Sequence, residues 1–377
     1  MKPIVTILLL AFSVAACAES GEPGGEPSTV ADPGPSPSTP TTSPPPDPGA
    51  PGLVIVPAGG VDLYAAPESE PFYRPAEGLI FPVLAEDGNW LHVITTCNTE
   101  RWVRRADVEI VPARAPGEPG QGFDLASAVI VLDPGHGGRD RGAKGPSGSN
   151  ESDANLAIGT WLRDRLLTGQ DIDWETGHVR PGDQYPAVAA VWMTRGPDSP
   201  DAGDIELGLA YRAAMSNSVG ADVLVSLHNN TTPSTTQETP GSDIFYSVGS
   251  EASDRLASLI HEELVRGLAE FGDSWGAATV TGAKARVDAD TGEDFYGLLR
   301  RTEAPSVIVE GMYISNPPEE LLLQSEILQR AYADAVYRGL VRFLTSDELG
   351  TEIIEPEPFS GSVGSPSTAS CVVPAQG

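Results

Sequence analysis

Ala128-Val129-Ile130-Val131-Leu132-Asp133-Pro134-Gly135-His136-Gly137-Gly138 is an apolar run that ends in an imidazole set among glycines. An uninterrupted aliphatic run of this kind predicts a buried strand with His136 just beyond it. Glycines at 135, 137 and 138 let the backbone take tight, left-handed turns and bring the ring close to an ion or a substrate. A histidine packed in a core needs no such turn.

Two later segments repeat the arrangement. Asp222-Val223-Leu224-Val225-Ser226-Leu227 is followed by His228, and Ser306-Val307-Ile308-Val309 by Glu310. Ligands of open α/β sheets bind outside the carboxyl ends of the parallel strands, so these three ends are expected to converge. A fourth member is Glu151. Asn150 reads as an N-cap, Ala154, Ile158, Leu162 and Leu166 form a helical stripe, and Glu151 falls in the first turn, where the helix N-terminus favours a negative charge. Two imidazoles and one carboxylate make a catalytic zinc set, with Asp140 and Asp153 as alternatives to Glu151. His92, His178 and His261 lie in segments whose spacing does not suggest ligation.

Four blocks resemble a known family, the zinc-dependent N-acetylmuramoyl-L-alanine amidases that cut bacterial peptidoglycan. They are Leu132 to Gly145, Glu151 to Ala157, Ser226-Leu227-His228-Asn229-Asn230, and Pro305 to Glu320 with Val309-Glu310-Gly311 and Ser315-Asn316-Pro317. Carried over position by position, the resemblance implies that His136, Glu151 and His228 bind one zinc ion and that Glu310 is the catalytic glutamate. One coordination position stays open for water. Zinc lowers the pKa of bound water from about 15.7 to about 7 and polarises a carbonyl. Glu310 takes the proton from that water and hands it to the leaving amine. The implied scissile bond joins the lactyl group of N-acetylmuramic acid to L-alanine of the stem peptide. Gly311-Met312-Tyr313-Ile314 departs from the Gly-Phe-Leu common in relatives, which leaves substrate detail open. The alternative is a catalytically inactive or partner-activated wall-binding lipoprotein with the amidase fold, the activator protein being unknown. Arg300 is expected in a surface ion pair rather than against a stem-peptide carboxylate.

The alternation of elements predicts an α/β catalytic domain over 124–346 with a mainly parallel sheet and helices on both faces. Its expected elements are strands 128–132, 190–194, 222–227 and 243–247, a strand ending at Glu310, and helices 151–167, 206–218, 252–271 and 319–345. The polar loops 229–242 and 281–294 flank the expected site. Short apolar stretches over 53–112 predict a small all-β barrel, and its Trp90 and Trp102 blocks resemble bacterial Src-homology-3-like domains. The tail 347–377 reads as disordered apart from Cys371.

Lys2 and the apolar stretch Ile4 to Ala16 form a secretion signal. The small residues before Cys17 resemble a lipoprotein cleavage site, so 1–17 reads as a lipoprotein signal peptide and lipidated Cys17 as the membrane anchor. The product would be exported and would face the cell wall or periplasm. Residues 18–52 form a disordered linker, for Ser20 to Gly52 holds 11 prolines in 33 residues. Fully extended, it reaches roughly 100 Å. Removing Cys17 leaves Cys97 and Cys371, an even pair that suggests a disulfide in an oxidising compartment. The formal net charge of −30, with only Lys2, Lys144 and Lys284 as lysines, argues against a nucleic-acid partner.

Overall fold

Seven short strands open the structure, which is a computed structural model describing residues 47–232, 241–274, 282–350, 354–360 and 371–375. The signal segment, the linker up to residue 46 and the centre of the 229–242 loop lie outside the described residues. The strands are β1 (Pro51–Ile55), β2 (Leu63–Tyr64), β3 (Pro71–Tyr73), β4 (Ile80–Asp87), β5 (Trp90–Ile94), β6 (Glu100–Arg104) and β7 (Glu109–Pro112). They form one sheet in the order β3-β2-β6-β5-β4-β1-β7, and every neighbouring pair is antiparallel. Gly88 at φ +57 makes the two-residue turn that pairs Asp87 with Trp90. Leu53, Val54, Phe81, Leu91, Val93 and Val103 are wholly buried beneath it.

The second sheet is built from β8 (Val129–Pro134), β11 (Ala190–Met193), β12 (Val223–Asn230), β13 (Asp243–Tyr246), β14 (Ala283–Asp288), β15 (Ser306–Tyr313) and β16 (Ile354–Phe359). Its order is β11-β8-β12-β15-β13-β14-β16. A separate hairpin of β9 (Gln170–Ile172) and β10 (Val179–Pro181) lies in the polar excursion after residue 168. The helices are α1 (Glu151–Leu166), α2 (Leu209–Val219), α3 (Glu251–Leu268), α4 (Gly297–Arg301), α5 (Pro317–Leu323) and α6 (Glu326–Thr345).

The alternation of strand side chains explains the layers. Ile130 and Leu132 of β8, Val225 and Leu227 of β12, and Val307 and Val309 of β15 share one core with α1, α3 and α6. Val129, Val131, Leu224 and Ile308 face the other way and share a core with α2, α4 and the N-terminal sheet. Helices therefore cover both faces, as expected.

The sheet is mainly parallel, as expected: β11, β8, β12 and β15 run parallel, β14 and β16 run parallel to β13, and among the described residues only β13 with β15 is antiparallel. Three expectations need correction. The helix expected over 319–345 is two, because Ser325 is extended at φ −87, ψ 125 and breaks the run between α5 and α6. The tail is not without structure. It supplies β16, and Cys371 is bonded to Cys97 with Cα atoms 5.6 Å apart. Ala76 N donates to Pro374 O at 2.8 Å, and Val373 packs against the core shared by the sheet and α2. Loop 281–294 likewise holds β14 rather than irregular chain.

The N-terminal sheet is locked onto α2. Tyr211 Oη donates to Ile80 O at 2.8 Å, Ser218 Oγ to Val83 O at 3.1 Å, and Tyr211 N to Asn98 Oδ1 at 2.9 Å. The connector after residue 112 thus joins two sheets that share side chains.

Candidate metal centre

Strand register brings the predicted site residues to one edge. Leu227 of β12 pairs with Pro134 of β8, and His228 pairs with Glu310 of β15. His136 stands two residues beyond β8 at φ +63, followed by Gly137 at +128 and Gly138 at +62. Left-handed backbone at a non-glycine residue is uncommon, and here it turns the ring back over the strand ends. Asn150 holds the N-cap position of α1, although its side chain bonds Asp153 at 3.0 Å rather than a backbone N–H. Glu151 is therefore the first helical residue.

His136 Nε2 lies 3.1 Å from Glu151 Oε2, and His228 Nδ1 lies 3.0 Å from Glu151 Oε1. The ligand atoms of all three residues fall within 4.8 Å of one another. Glycines clear the space. A Cβ on Gly142 would stand 2.5 Å from Glu151 Oε2 and 2.6 Å from His136 Cδ2, and one on Gly135 would overlap the His228 ring. Such a donor set, with the room kept free around it, fits a divalent metal ion bound by two imidazoles and a carboxylate.

Glu151 is buried but well supplied with donors, from Ala143 N at 2.9 Å, Asn229 N at 3.1 Å and Asn155 Nδ2 at 3.2 Å. Burial opposes its charge, yet the hydrogen bonds from His136 and His228 prevail and hold its pKa well below 4.5. Burial likewise disfavours protonation of His136, but Asp140 and Glu151 outweigh it and raise that pKa to about 10. The centre is thus built to attract positive charge.

Asp140 stands outside this candidate group of His136, Glu151 and His228. Its Oδ2 meets His136 Nδ1 at 2.9 Å, on the side of the ring away from Glu151, where a carboxylate orients the imidazole. Asp153 is exposed and stands apart. Arg300 bonds the carbonyls of Asp294 and Phe295 and, contrary to expectation, forms no ion pair among the described residues. Glu310 is half-buried, but its Oε2 is buried and has no hydrogen-bond partner among the described residues. Burial first, and the Glu151 charge second, push its pKa up to about 8.

A sequence model of the N-acetylmuramoyl-L-alanine amidases matches residues 130–342, from the second residue of β8 into α6 and over more than half of the chain. The chain belongs to this family. It is 27% identical over 266 residues to N-acetylmuramoyl-L-alanine amidase AmiC of Neisseria meningitidis, a match covering 62% of this chain and 56% of that protein. It is 24% identical over 276 residues to the probable cell wall amidase LytH of Staphylococcus epidermidis, covering 73% and 78%. Among solved structures, an N-acetylmuramoyl-L-alanine amidase from Clostridium difficile aligns over 59% of this chain and all of that one, with 24% identity and a TM-score of 0.46.

In this amidase-family chain, sequence reasoning passed over Asn155 and Asp133. Asn155 lies one turn after Glu151 on α1 and bonds Glu151, Gly135 O and Asn229; the i, i+4 spacing was the available signal. Asp133 is buried beneath the His136 turn, where it accepts from Thr194 Oγ1 at 2.6 Å, Ser226 Oγ at 2.7 Å and Arg212 Nη1 at 2.5 Å. Nothing adjacent in sequence announces that network.

Proposed function

We propose that this chain is a zinc-dependent peptidoglycan hydrolase that cleaves the amide between the lactyl group of N-acetylmuramic acid and L-alanine of the stem peptide. The observation that carries the reading is the meeting of His136, Glu151 and His228, with Glu310 on the adjacent strand, in a chain of the amidase family. These three residues would hold the ion. When bound, zinc supplies Lewis-acid polarisation of the amide carbonyl and a nucleophile at neutral pH.

Asp140 keeps the His136 ring turned so that Nε2 faces Glu151. Glu310 is the proton carrier: burial of its Oε2 and the Glu151 charge raise its pKa to about 8, and a bound dication would favour the carboxylate form that acts as a base at neutral pH. Its carboxylate takes a proton during attack and returns it to the leaving amine.

The N-terminal sheet supports the Src-homology-3-like reading, and Lys2 with the apolar stretch before Cys17 supports an exported, lipid-anchored protein acting on the wall. No helix among the described residues is long and apolar enough to cross a membrane.

The test incubates the full chain and its Glu310→Ala variant with purified peptidoglycan, with and without a chelator, and identifies products by mass spectrometry. Free stem peptides and peptide-free glycan, restored by zinc and absent in the variant, are expected. Zinc uptake without cleavage would point to an enzyme awaiting a partner, and no zinc uptake would overturn the reading.

A further inference from the structure

Arg195 follows β11 by two residues and is 1% exposed. A buried guanidinium ordinarily finds a carboxylate, because an unpaired charge is expensive to desolvate. Among the described residues, none of the Arg195 hydrogen bonds goes to one. Nε donates to Pro134 O at 2.9 Å, Nη1 to Gly203 O at 3.2 Å, and Nη2 to Gly135 O and Ser152 O, each at 2.8 Å. Burial, then the neighbouring Arg212 charge, lowers its pKa to about 10, which still leaves it a cation at neutral pH.

The targets of Nη2 are informative. Gly135 immediately precedes His136, and Ser152 immediately follows Glu151. One nitrogen therefore spans the two segments that carry two of the three candidate ligands. Arg212, on α2, completes the grip, with Nη2 on His136 O at 2.9 Å and Nη1 on Pro134 O at 3.2 Å. Three successive carbonyls, those of 134, 135 and 136, thus end on guanidinium donors. The space for this is kept by Gly137, whose Cβ would stand 2.9 Å from Arg195 Cδ and 3.0 Å from Nε.

We infer that Arg195, seconded by Arg212, is a positioning residue that sets the separation of His136 from Glu151 and so the affinity of the centre for its metal. The inference rests on the zinc reading above. Physically, His136 sits in a left-handed conformation, and such strain persists only when surrounding bonds over-determine it. A planar fork with five donors can satisfy four carbonyls at once, whereas a lysine ammonium has three donors radiating from one point. Lysine preserves the charge at 195 but not the bridge.

The test uses the full-length chain as wild type, Arg195→Lys, Arg212→Lys and Arg338→Lys. Arg338 is 2% exposed on α6, and its partners are Glu263 and Gly177, remote from the candidate ligands. Zinc affinity is read by competition with a chromophoric chelator, and the melting temperature of the metal-free protein is read beside it. Arg195→Lys should weaken zinc binding by about 10- to 100-fold, the range typical of residues that support metal ligands. Arg338→Lys should lower the melting temperature and leave zinc affinity unchanged. Wild-type affinity in Arg195→Lys, or an equal loss in Arg338→Lys, overturns the inference alone. If Arg195→Lys does not fold, Arg212→Lys decides by the same readout. Failure of both to fold while Arg338→Lys folds assigns the two arginines to domain stability and also overturns it. A wild-type chain that takes up no zinc refutes the metal centre itself.

Discussion

Replacing Gly142 with alanine puts the geometry of the centre to a quantitative trial. Gly142 has φ +67, and its new Cβ would stand 2.5 Å from Glu151 Oε2, 2.6 Å from His136 Cδ2 and 2.8 Å from His136 Cγ. Carbon atoms settle near 3.5 Å, so ring and carboxylate must each retreat by roughly 1 Å. Misplacement by about 1 Å at a reacting centre lowers activity on the order of 10²-fold, which is about 2.8 kcal/mol at 1.4 kcal/mol per decade. The left-handed backbone adds about 1–2 kcal/mol of destabilisation of its own. Gly148→Ala separates the two effects, since Gly148 has φ +102 but its nearest neighbour to a new Cβ is Lys144 Cε at 3.7 Å. Zinc affinity by chelator competition and release of stem peptides from purified peptidoglycan should both fall about 10²-fold in Gly142→Ala. Gly148→Ala should lose only stability. Wild-type zinc affinity in Gly142→Ala, or an equal loss in Gly148→Ala, would refute the account of how this turn serves the ligands.

Other outcomes follow from the same structure. Glu310→Gln should bind zinc as tightly as wild type while hydrolysis falls by about 10²–10⁴-fold, the usual share of a general acid–base group; a variant still active within a few-fold removes Glu310 from the chemistry. Replacing Cys97 and Cys371 together by serine opens a closure of 274 residues, for which chain entropy gives about 5.6 kcal/mol of lost stability. Denaturant midpoints should show it, and a change under about 1 kcal/mol would mean that the unfolded chain gains little freedom. Asp133 is buried, which opposes its charge, but Arg212, Thr194 and Ser226 hold its pKa below the ordinary 3.8. Its contribution to stability is therefore whole above pH 4 or so and is lost as the pH falls through the folded-state value. Asp133→Asn should cost about 3–5 kcal/mol at pH 7 by leaving Arg212 unpaired, and should flatten the acid limb of the stability curve. An acid limb of unchanged slope would assign it to other carboxylates.

The strand ends at His136, His228 and Glu310 were legible because each couples an aliphatic run to one polar residue, a pattern made by burial and needing no partner to be recognised. Glu151 was legible through the helix start. The mainly parallel sheet was legible through the alternation of strands and helices, but the reversal of β13 was not, since Asp243–Tyr246 reads the same in either sense. Strand β16 was hidden by Pro356 and Pro358, which a sheet accepts at an edge; Phe359 holds it there, its ring centroid 4.6 Å from that of Phe295. Asp140 was considered as a ligand because a carboxylate four residues from a histidine suits either role. Only the ring orientation separates them. Arg195 left no trace, since carbonyl partners carry no side-chain signature.

The shared core between the N-terminal sheet and α2 bears on how the enzyme would meet an insoluble polymer. A module on a flexible joint would let its quarry drift relative to the blade. Here the sheet turns with the amidase-family domain as one piece, so whatever chain the sheet held would stand at a constant offset and bearing from the candidate centre, like timber held against the stop of a saw bench.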